Sequence, residues 1–507
     1  MINKLVILCV LLACNNVLAD RVVRELGVVN GEPEPYVFPY GFASEAMGLV
    51  AGVASGISGL PQEQNSLIAT ALVSNEGAAA VYAFFNNYQF SHNLHLFLDL
   101  SVGLGEFPQQ RAYLELSPTT GEPPAGSNDS SAENFFDAEG FSNWVEIDFK
   151  YVFDIGNAKS NPVNLYTLSE GLLVGGASGG EVFNPFKSGR TYLQTTLFHH
   201  NRDYEVDTAF PLSTTGIGFS FKYDNTDFPV NPGLGSIVNI GIKYDPGFAD
   251  NEQWSIAELE YSKYFKLGHG PHTEQQALAF NAWTAHTLSD APSPHYYGVT
   301  LGGLYRMRAY PIERFHNNSA IYYSAELRTI PKSGLLRRIS FLEFANLEWW
   351  EIAAFYETGR VAPDWELEKL HRSMKWDFGI SLRIMANNDI GRLDRLVGRG
   401  YCCLVDVWAP DVWAPILKHS RKSKHNSLPL GEAAFDLRLR TFDDVYYWRF
   451  NITVFEKSLL VVPPTVLTAM YNLSPVAKSV TRLQAIEVSL FCTNALVAPD
   501  MSALFEI

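Results

Sequence analysis

From Tyr36 to about Asp394, apolar and polar residues change places at nearly every step of the chain. Leu94, Leu96, Leu98, Leu100 and Val102 alternate with Asn93, His95, Asp99 and Ser101. Val145, Ile147, Phe149 and Tyr151 alternate with Glu146, Asp148 and Lys150. The same holds for Ile217, Phe219, Phe221 and Tyr223 against Gly218, Ser220 and Lys222, and for Ala257, Leu259 and Tyr261 against Glu258, Glu260 and Ser262. Phe378, Ile380, Leu382 and Ile384 oppose Gly379, Ser381 and Arg383. A period of two places neighbours on opposite faces of an extended strand, so the chain is predicted to be all-β. Each strand then has one oily and one charged face. A sandwich would bury the oily face, whereas a membrane barrel would turn it to lipid and line its lumen with charge. Alternation alone does not separate the two.

Other features favour the barrel. Lys4, the apolar run 5–13 and the site Val17-Leu18-Ala19 have the form of an export signal, with the mature chain starting near Asp20. A lipoprotein reading of Leu11-Leu12-Ala13-Cys14 competes with it; either way the protein leaves the cytoplasm. Beyond residue 19 no run of about 18 apolar residues could form a spanning helix. Tyr and Phe cluster near the ends of the alternating runs, and residues 36–394 have room for about sixteen strands of roughly 9–11 residues. The expected fold is therefore an antiparallel transmembrane β-barrel of about sixteen strands, preceded by a short segment, 20–35.

Charge and cysteine content exclude other classes. With 38 Lys+Arg against 54 Asp+Glu, the chain lacks the positive balance of a nucleic-acid binder. Cys9 and Cys14 fall in the signal and Cys402, Cys403 and Cys492 in the tail, so disulfides cannot hold the body together. No Cys/His set has zinc-ligand spacing, and no cofactor or metal is expected. His199-His200, His269 and His272 read as surface or lumen histidines. Gly176-Ala177-Ser178-Gly179-Gly180 fits the G-x-S-x-G hydrolase pattern, but Glu181-Val182-Phe183-Asn184-Pro185 follows it without a helical period, which favours a glycine-rich turn. Residues 117–133, rich in Pro, Gly and Ser, read as a solvent loop; 224–235, 268–276 and 288–295 are further loops. Past Asp394 the character changes. Residues 395–507 hold 12 Lys+Arg against 10 Asp+Glu, a tandem Asp-Val-Trp-Ala-Pro and the basic run 418–424. Alternation persists there only around 435–440 and 448–454, so an irregular C-terminal extension is expected: a divergent closing region with further strands or a reading-frame accident ahead of a fused segment.

Residues 297–331 read as a strand, a long loop carrying Arg308, and a returning strand in which Tyr323, Ala325 and Leu327 oppose Ser324, Glu326 and Arg328. This stretch resembles the sixth-loop region of the bacterial surface antigen family of outer-membrane barrels, the BamA/TamA-like proteins. There a Gly-Gly strand end leads to (Val/Leu)-Arg-Gly-(Phe/Tyr) and a strand ending Glu-Leu-Arg. Here those elements are Gly302-Gly303, Met307-Arg308-Ala309-Tyr310 and Glu326-Leu327-Arg328. Asp224 to Asp227 with Pro229 and Gly235 resembles the family's acidic strand-end turn. Phe355-Tyr356-Glu357-Thr358-Gly359 resembles its F-x-D-x-G, and Arg392-Leu393-Asp394 its R-x-D. The resemblance covers about residues 36–394.

The resemblance implies a sixteen-stranded barrel whose loop folds into the lumen, with Arg308 meeting Glu357. A guanidinium offers a planar fork to a carboxylate, which in a partly dry lumen fixes the loop's position. This chain departs from the pattern at Ala309, which replaces a glycine and would be strained at positive φ. Glu357 replaces an aspartate, and Asn225 and Thr226 stand where the turn arginine would be. The family's assembly members carry periplasmic repeat domains before the barrel, so this chain reads as a barrel-only member. The implied role is non-enzymatic: inserting or exporting proteins, or presenting loops at the surface of the outer membrane. Expected partners are outer-membrane lipid, client outer-membrane or secreted proteins and the barrel assembly machinery. A passive pore plugged by the Arg308 loop is the alternative, and a surface hydrolase through Ser178 a third.

Overall fold

Sixteen strands hydrogen-bond in chain order into one antiparallel sheet in the computed structural model of the protein. The structure describes residues 21–24, 33–44, 47–90, 95–114, 121–159, 161–180, 182–203, 213–248, 252–303, 305–332, 347–386, 389–398 and 401–408, and in a second unit 436–442, 445–454 and 484–493. The export signal, most of segment 20–35, the basic run 418–424 and the second of the two Asp-Val-Trp-Ala-Pro copies lie outside them.

A short strand, β1 (Arg21–Arg24), precedes the sheet. The sheet itself starts with β2 (Glu34–Ser44), β3 (Gly48–Ser58), β4 (Ser66–Ser74), β5 (Ala79–Gln89), β6 (Leu96–Ala112) and β7 (Phe136–Val152). Before the next wall strand comes an inserted hairpin, β8 (Leu165–Ser169) and β9 (Leu172–Gly175). The wall resumes with β10 (Arg190–Arg202), β11 (Ser213–Asp224), β12 (Gly235–Asp245), β13 (Trp254–Gly268) and β14 (Thr273–Thr287). A long loop follows, carrying the two-residue strands β15 (Thr300–Leu301) and β16 (Phe315–His316). The wall then continues through β17 (Ser319–Pro331), β18 (Leu347–Ala362), β19 (Lys375–Ala386), β20 (Asp389–Gly398) and β21 (Tyr401–Trp408). A short helix, α1 (Leu367–His371), tops the β18–β19 connection. The sheet thus runs beyond Asp394 to Trp408. Its first and last strands, β2 and β21, approach within 8 Å between Cα atoms, yet no ladder joins them among the described residues. Because the strand number is even, the chain enters and leaves the sheet at the same mouth.

Exposure decides between the two architectures that alternation left open. Ile380 and Ile240 are 56% and 53% exposed, and Phe219, Phe221, Leu259 and Phe378 are exposed with them. Their neighbours of opposite parity are buried: Glu357, Asp377 and Ser381 have no exposed surface. A soluble sandwich inverts this order. Each large apolar side chain left in water forgoes about 1.5–3 kcal/mol of burial, so a band of them is stable only against lipid. The charged face inside must be wet or paired, because unpaired buried charge costs more still.

Two expectations are corrected. Residues 297–303 are not a wall strand: the wall strand is β14, and 297–303 lie in the connection between β14 and β17, where only Thr300–Leu301 pairs, with β16. Residues 117–133 are not simply a solvent loop, since Ala125, Asn128 and Ser130 are buried, for reasons given below. At the chain's entry mouth residues 153–159, 161–180 and 182–189 belong to an insertion with its own hairpin. In the second unit β22 (Asp436–Phe442) and β23 (Val445–Val454) take up the two alternating pieces of the tail and pair with each other, and β24 (Gln484–Thr493) completes a three-stranded sheet.

Candidate functional site: an arginine loop seated on the barrel wall

The loop between β14 and β17 turns inward because its backbone is forced to. Gly302 and Gly303 have φ of 112° and 107°, and a Cβ on Gly302 would come within 2.3 Å of the Pro311 carbonyl. Only glycine accepts both conditions. Gly303 N–H donates to the Tyr310 carbonyl at 3.1 Å and Tyr310 N–H to the Met307 carbonyl at 3.0 Å, closing a tight turn over residues 307–310. The positive φ in this turn, 59°, belongs to Met307 and not to Ala309, which corrects the expectation of strain there. Ala309 is fully buried beside Phe355. Ala309→Gly should therefore relieve nothing and cost about 0.5–1 kcal/mol through added backbone freedom; a rise in thermal midpoint would contradict this.

The turn presents Arg308 to the wall. Its Nε donates to Glu357 Oε1 and its backbone N–H to Glu357 Oε2, both at 2.7 Å. Nη2 donates to Glu326 Oε1 at 2.9 Å, and the guanidinium lies 3.5 Å above the centre of the Phe355 ring. The longer glutamate at 357 reaches both a side-chain and a backbone donor. Tyr322 Oη donates to the same Oε1 at 2.7 Å. On the next strand Asp377 Oδ2 accepts from Ala309 N–H at 3.2 Å, and Tyr310 Oη donates to the Trp376 carbonyl at 3.1 Å. Gly359 clears space for the loop: a Cβ there would meet Leu301 at 2.9 Å.

Glu326 extends the cluster along the lumen. Its Oε2 accepts from Arg328 Nε at 2.9 Å and from Arg383 Nη2 at 2.8 Å, and Arg383 Nη1 reaches Glu351 Oε1 at 3.2 Å. Three guanidinium groups and four carboxylates thus sit on adjacent strands β17, β18 and β19 and the loop, every residue except Arg328 buried. Buried charge paired in this way specifies position more than it adds stability. No His/Cys/Asp/Glu group among the described residues has metal-binding geometry.

At the far mouth the loop is held by other connections. Arg202 pairs with Glu313 and donates to Gln110 Oε1 at 3.1 Å. Burial raises the Glu313 carboxyl above its usual range, with Arg202 opposing, and burial lowers the His295 imidazole beside it. Arg314 donates to Ser130 Oγ at 3.0 Å and to the Ser130 carbonyl at 2.8 Å, and His316 N–H to the Gly126 carbonyl at 2.9 Å. The β6–β7 connection therefore lies across the Arg308 loop, which is why it is buried despite its polar composition. Tyr297 Oη donates to Glu146 Oε1 at 3.0 Å and stacks on His200 at 4.1 Å, so His200 is a wall histidine, not a metal ligand.

The remaining sequence-derived positions are dispersed. Asp224 and Asp227 organise the β11–β12 turn at the entry mouth. Asp224 Oδ1 accepts from Thr226 Oγ1 at 2.7 Å, and Asp227 Oδ1 from the N–H groups of Phe228, Gly233 and Leu234 at 2.9–3.0 Å. Asn225 and Thr226 are buried in that turn. Arg392 and Asp394 lie on β20 opposite Arg383 and Ser381. Ser178 is buried, and its hydroxyl donates to the Thr226 carbonyl at 2.9 Å. No helix follows it among the described residues, so Ser178 does not sit on a strand–turn–helix elbow there.

Sequence reasoning missed the hairpin β8–β9. It pairs with β1 and reaches across the entry mouth: Tyr166, Leu168, Leu172 and Leu173 pack with Phe228, Ile330, Trp349 and Met385, and Trp349 Nε1 donates to the Gly171 carbonyl at 2.9 Å. Glu170 and Gly171, both at positive φ, form its two-residue turn, a signal that was present in the sequence. Glu351 and Arg383 were also missed, because on paper they are ordinary polar-face residues.

A strand-built wall with lipid-facing outside, charged inside and an arginine loop seated within defines an outer-membrane β-barrel. Residues 145–394, just under half of the chain, match the Omp85 superfamily domain. Among solved structures it is similar to BamA from Haemophilus ducreyi lacking POTRA domains 1–3, at 12% identity and TM-score 0.41, over 75% of this chain and 71% of that one. It is also similar to CdiB from Acinetobacter baumannii, at 10% identity and TM-score 0.40, over 75% of this chain and 57% of that one. No curated protein matches.

Proposed function

We propose that this protein inserts other proteins into the outer membrane or passes them across it, using the seam between β2 and β21. The observation that carries this reading is that the two strands lie side by side without a ladder, leaving backbone donors and acceptors able to pair with an incoming strand. Export by the N-terminal signal, outer-membrane lipid as surroundings, client proteins and assembly machinery as partners, and a positioning role for Arg308 and Glu357 belong to the same proposal.

The test is reconstitution. Vesicles carrying the chain should speed the folding of an added, urea-unfolded outer-membrane barrel, read as the gel shift of its heat-resistant form, relative to empty vesicles. Equal rates would end the proposal. The plugged passive pore makes a different demand: deletion of residues 307–310 should then give steady conductance in planar bilayers. Continued silence is expected here, because the β8–β9 hairpin occupies the other mouth.

A further inference from the structure

Between β9 and β10 the chain folds over the outside of the wall. Asn184 builds a rigid turn there: its Oδ1 accepts from Phe186 N–H at 3.0 Å, and its carbonyl accepts from Lys187 and Ser188 N–H, both at 2.9 Å. Asn-Pro is suited to open such a turn. The turn is pressed against Tyr223, which lies on the outward, oily face of β11. Tyr223 Oη donates to the Ser188 carbonyl at 3.0 Å, and its ring meets Phe183 edge-on at 5.2 Å. Gly189, at φ of 74°, permits the contact, since a Cβ there would lie 2.9 Å from the Tyr223 ring. Outward Phe221 meets Phe153 at 6.2 Å, and Phe153 meets Tyr151 at 5.4 Å. The oily band of the wall is thus continued past the strand ends by aromatic rings.

The turn leaves its apolar side chains uncovered. Val182, Phe183 and Phe186 are 50%, 55% and 75% exposed, and Lys187 beside them has no ion-pair partner among the described residues. Phenylalanine next to a free lysine is the combination that settles at a membrane–water boundary, ring in the acyl region and ammonium at the phosphate.

We propose that residues 182–187 form a foot inserted into the phospholipid leaflet nearest the entry mouth, with Phe186 at the headgroup–acyl boundary and Lys187 against anionic headgroups. The foot fixes the depth of the β7–β10 side of the barrel and anchors one end of the hairpin that crosses the mouth. This rests on the wall facing lipid, and the test separates the two. A nitroxide on Phe186→Cys, in a full chain whose native cysteines are serine, is compared in phosphatidylethanolamine–phosphatidylglycerol vesicles with nitroxides on Leu259→Cys and Glu122→Cys. Collisions with oxygen should outweigh those with a water-soluble nickel chelate at 186, as at wall position 259 and in contrast to loop position 122. Nickel-dominated collisions at 186 alone would overturn the foot; protection from both reagents would mean a protein partner covers it. Nickel dominance at 259 as well would overturn the lipid-facing wall and the foot together. In the native-cysteine chain, Lys187→Glu should lower the urea midpoint in vesicles containing phosphatidylglycerol and leave it unchanged in phosphatidylcholine; equal shifts in both would count against the headgroup contact.

Discussion

Arg308→Ala is expected to unseat the loop between β14 and β17 and to cost about 3–5 kcal/mol, the usual effect of removing one partner from a buried pair. Glu326 would keep Arg328 and Arg383, but Glu357 would keep no guanidinium. The loss should appear as a lowered thermal midpoint in detergent and as trypsin cleavage after Arg306 and Arg314, both held in place in the intact protein. Arg308→Lys should fall between, because one ammonium on a flexible stem cannot serve Glu357 and Glu326 with the fixed geometry of the fork. Adding Glu357→Gln to Arg308→Ala should restore part of the loss, since the stranded charge goes with it. A midpoint for Arg308→Ala within about 0.5 kcal/mol of the parent would show the cluster to be incidental.

The second large effect is predicted at the other mouth. Trp349→Ala removes a buried ring from the contact between the hairpin β8–β9 and the wall, together with its hydrogen bond to Gly171, at a cost of about 3–5 kcal/mol. On the reading that the Arg308 loop and the hairpin are two closures in series, either one left in place keeps current from passing. Trp349→Ala alone and Arg308→Ala alone should therefore stay silent in planar bilayers, while the double variant conducts. Steady conductance from Arg308→Ala alone would show that the hairpin does not seal the entry mouth.

What the sequence made legible was what repeats. The oily and charged parities of β11, β13 and β19 could be assigned from residues such as Phe219, Leu259 and Ile380, because every strand states the same alternation. It could not say which parity faces outward, since lipid and a protein core ask for the same side chains. The placement of Arg308 against Glu357 came from resemblance; distance along the chain does not reveal which strands a loop will touch. Arg383 and Glu351 stayed hidden for that reason. The β6–β7 connection misled because Ser130 and Gly126 are held by hydrogen bonds from Arg314 and His316, and such bonds leave no trace in composition. The hairpin β8–β9 was readable at Glu170-Gly171, but its strands of five and four residues are too short for alternation to mark them.

One pair of strands supports both closures. Arg308, Ala309 and Tyr310 rest on Glu357, Asp377 and Trp376 toward one end of β18 and β19, and the crossing hairpin rests on Trp349 and Met385 toward the other. Tilting that pair by a side chain's length would loosen the stopper at each end in a single movement. The loop at one mouth and the hairpin at the other thus lean on the same two strands, and a variant that shifts β18 against β19 is expected to disturb both.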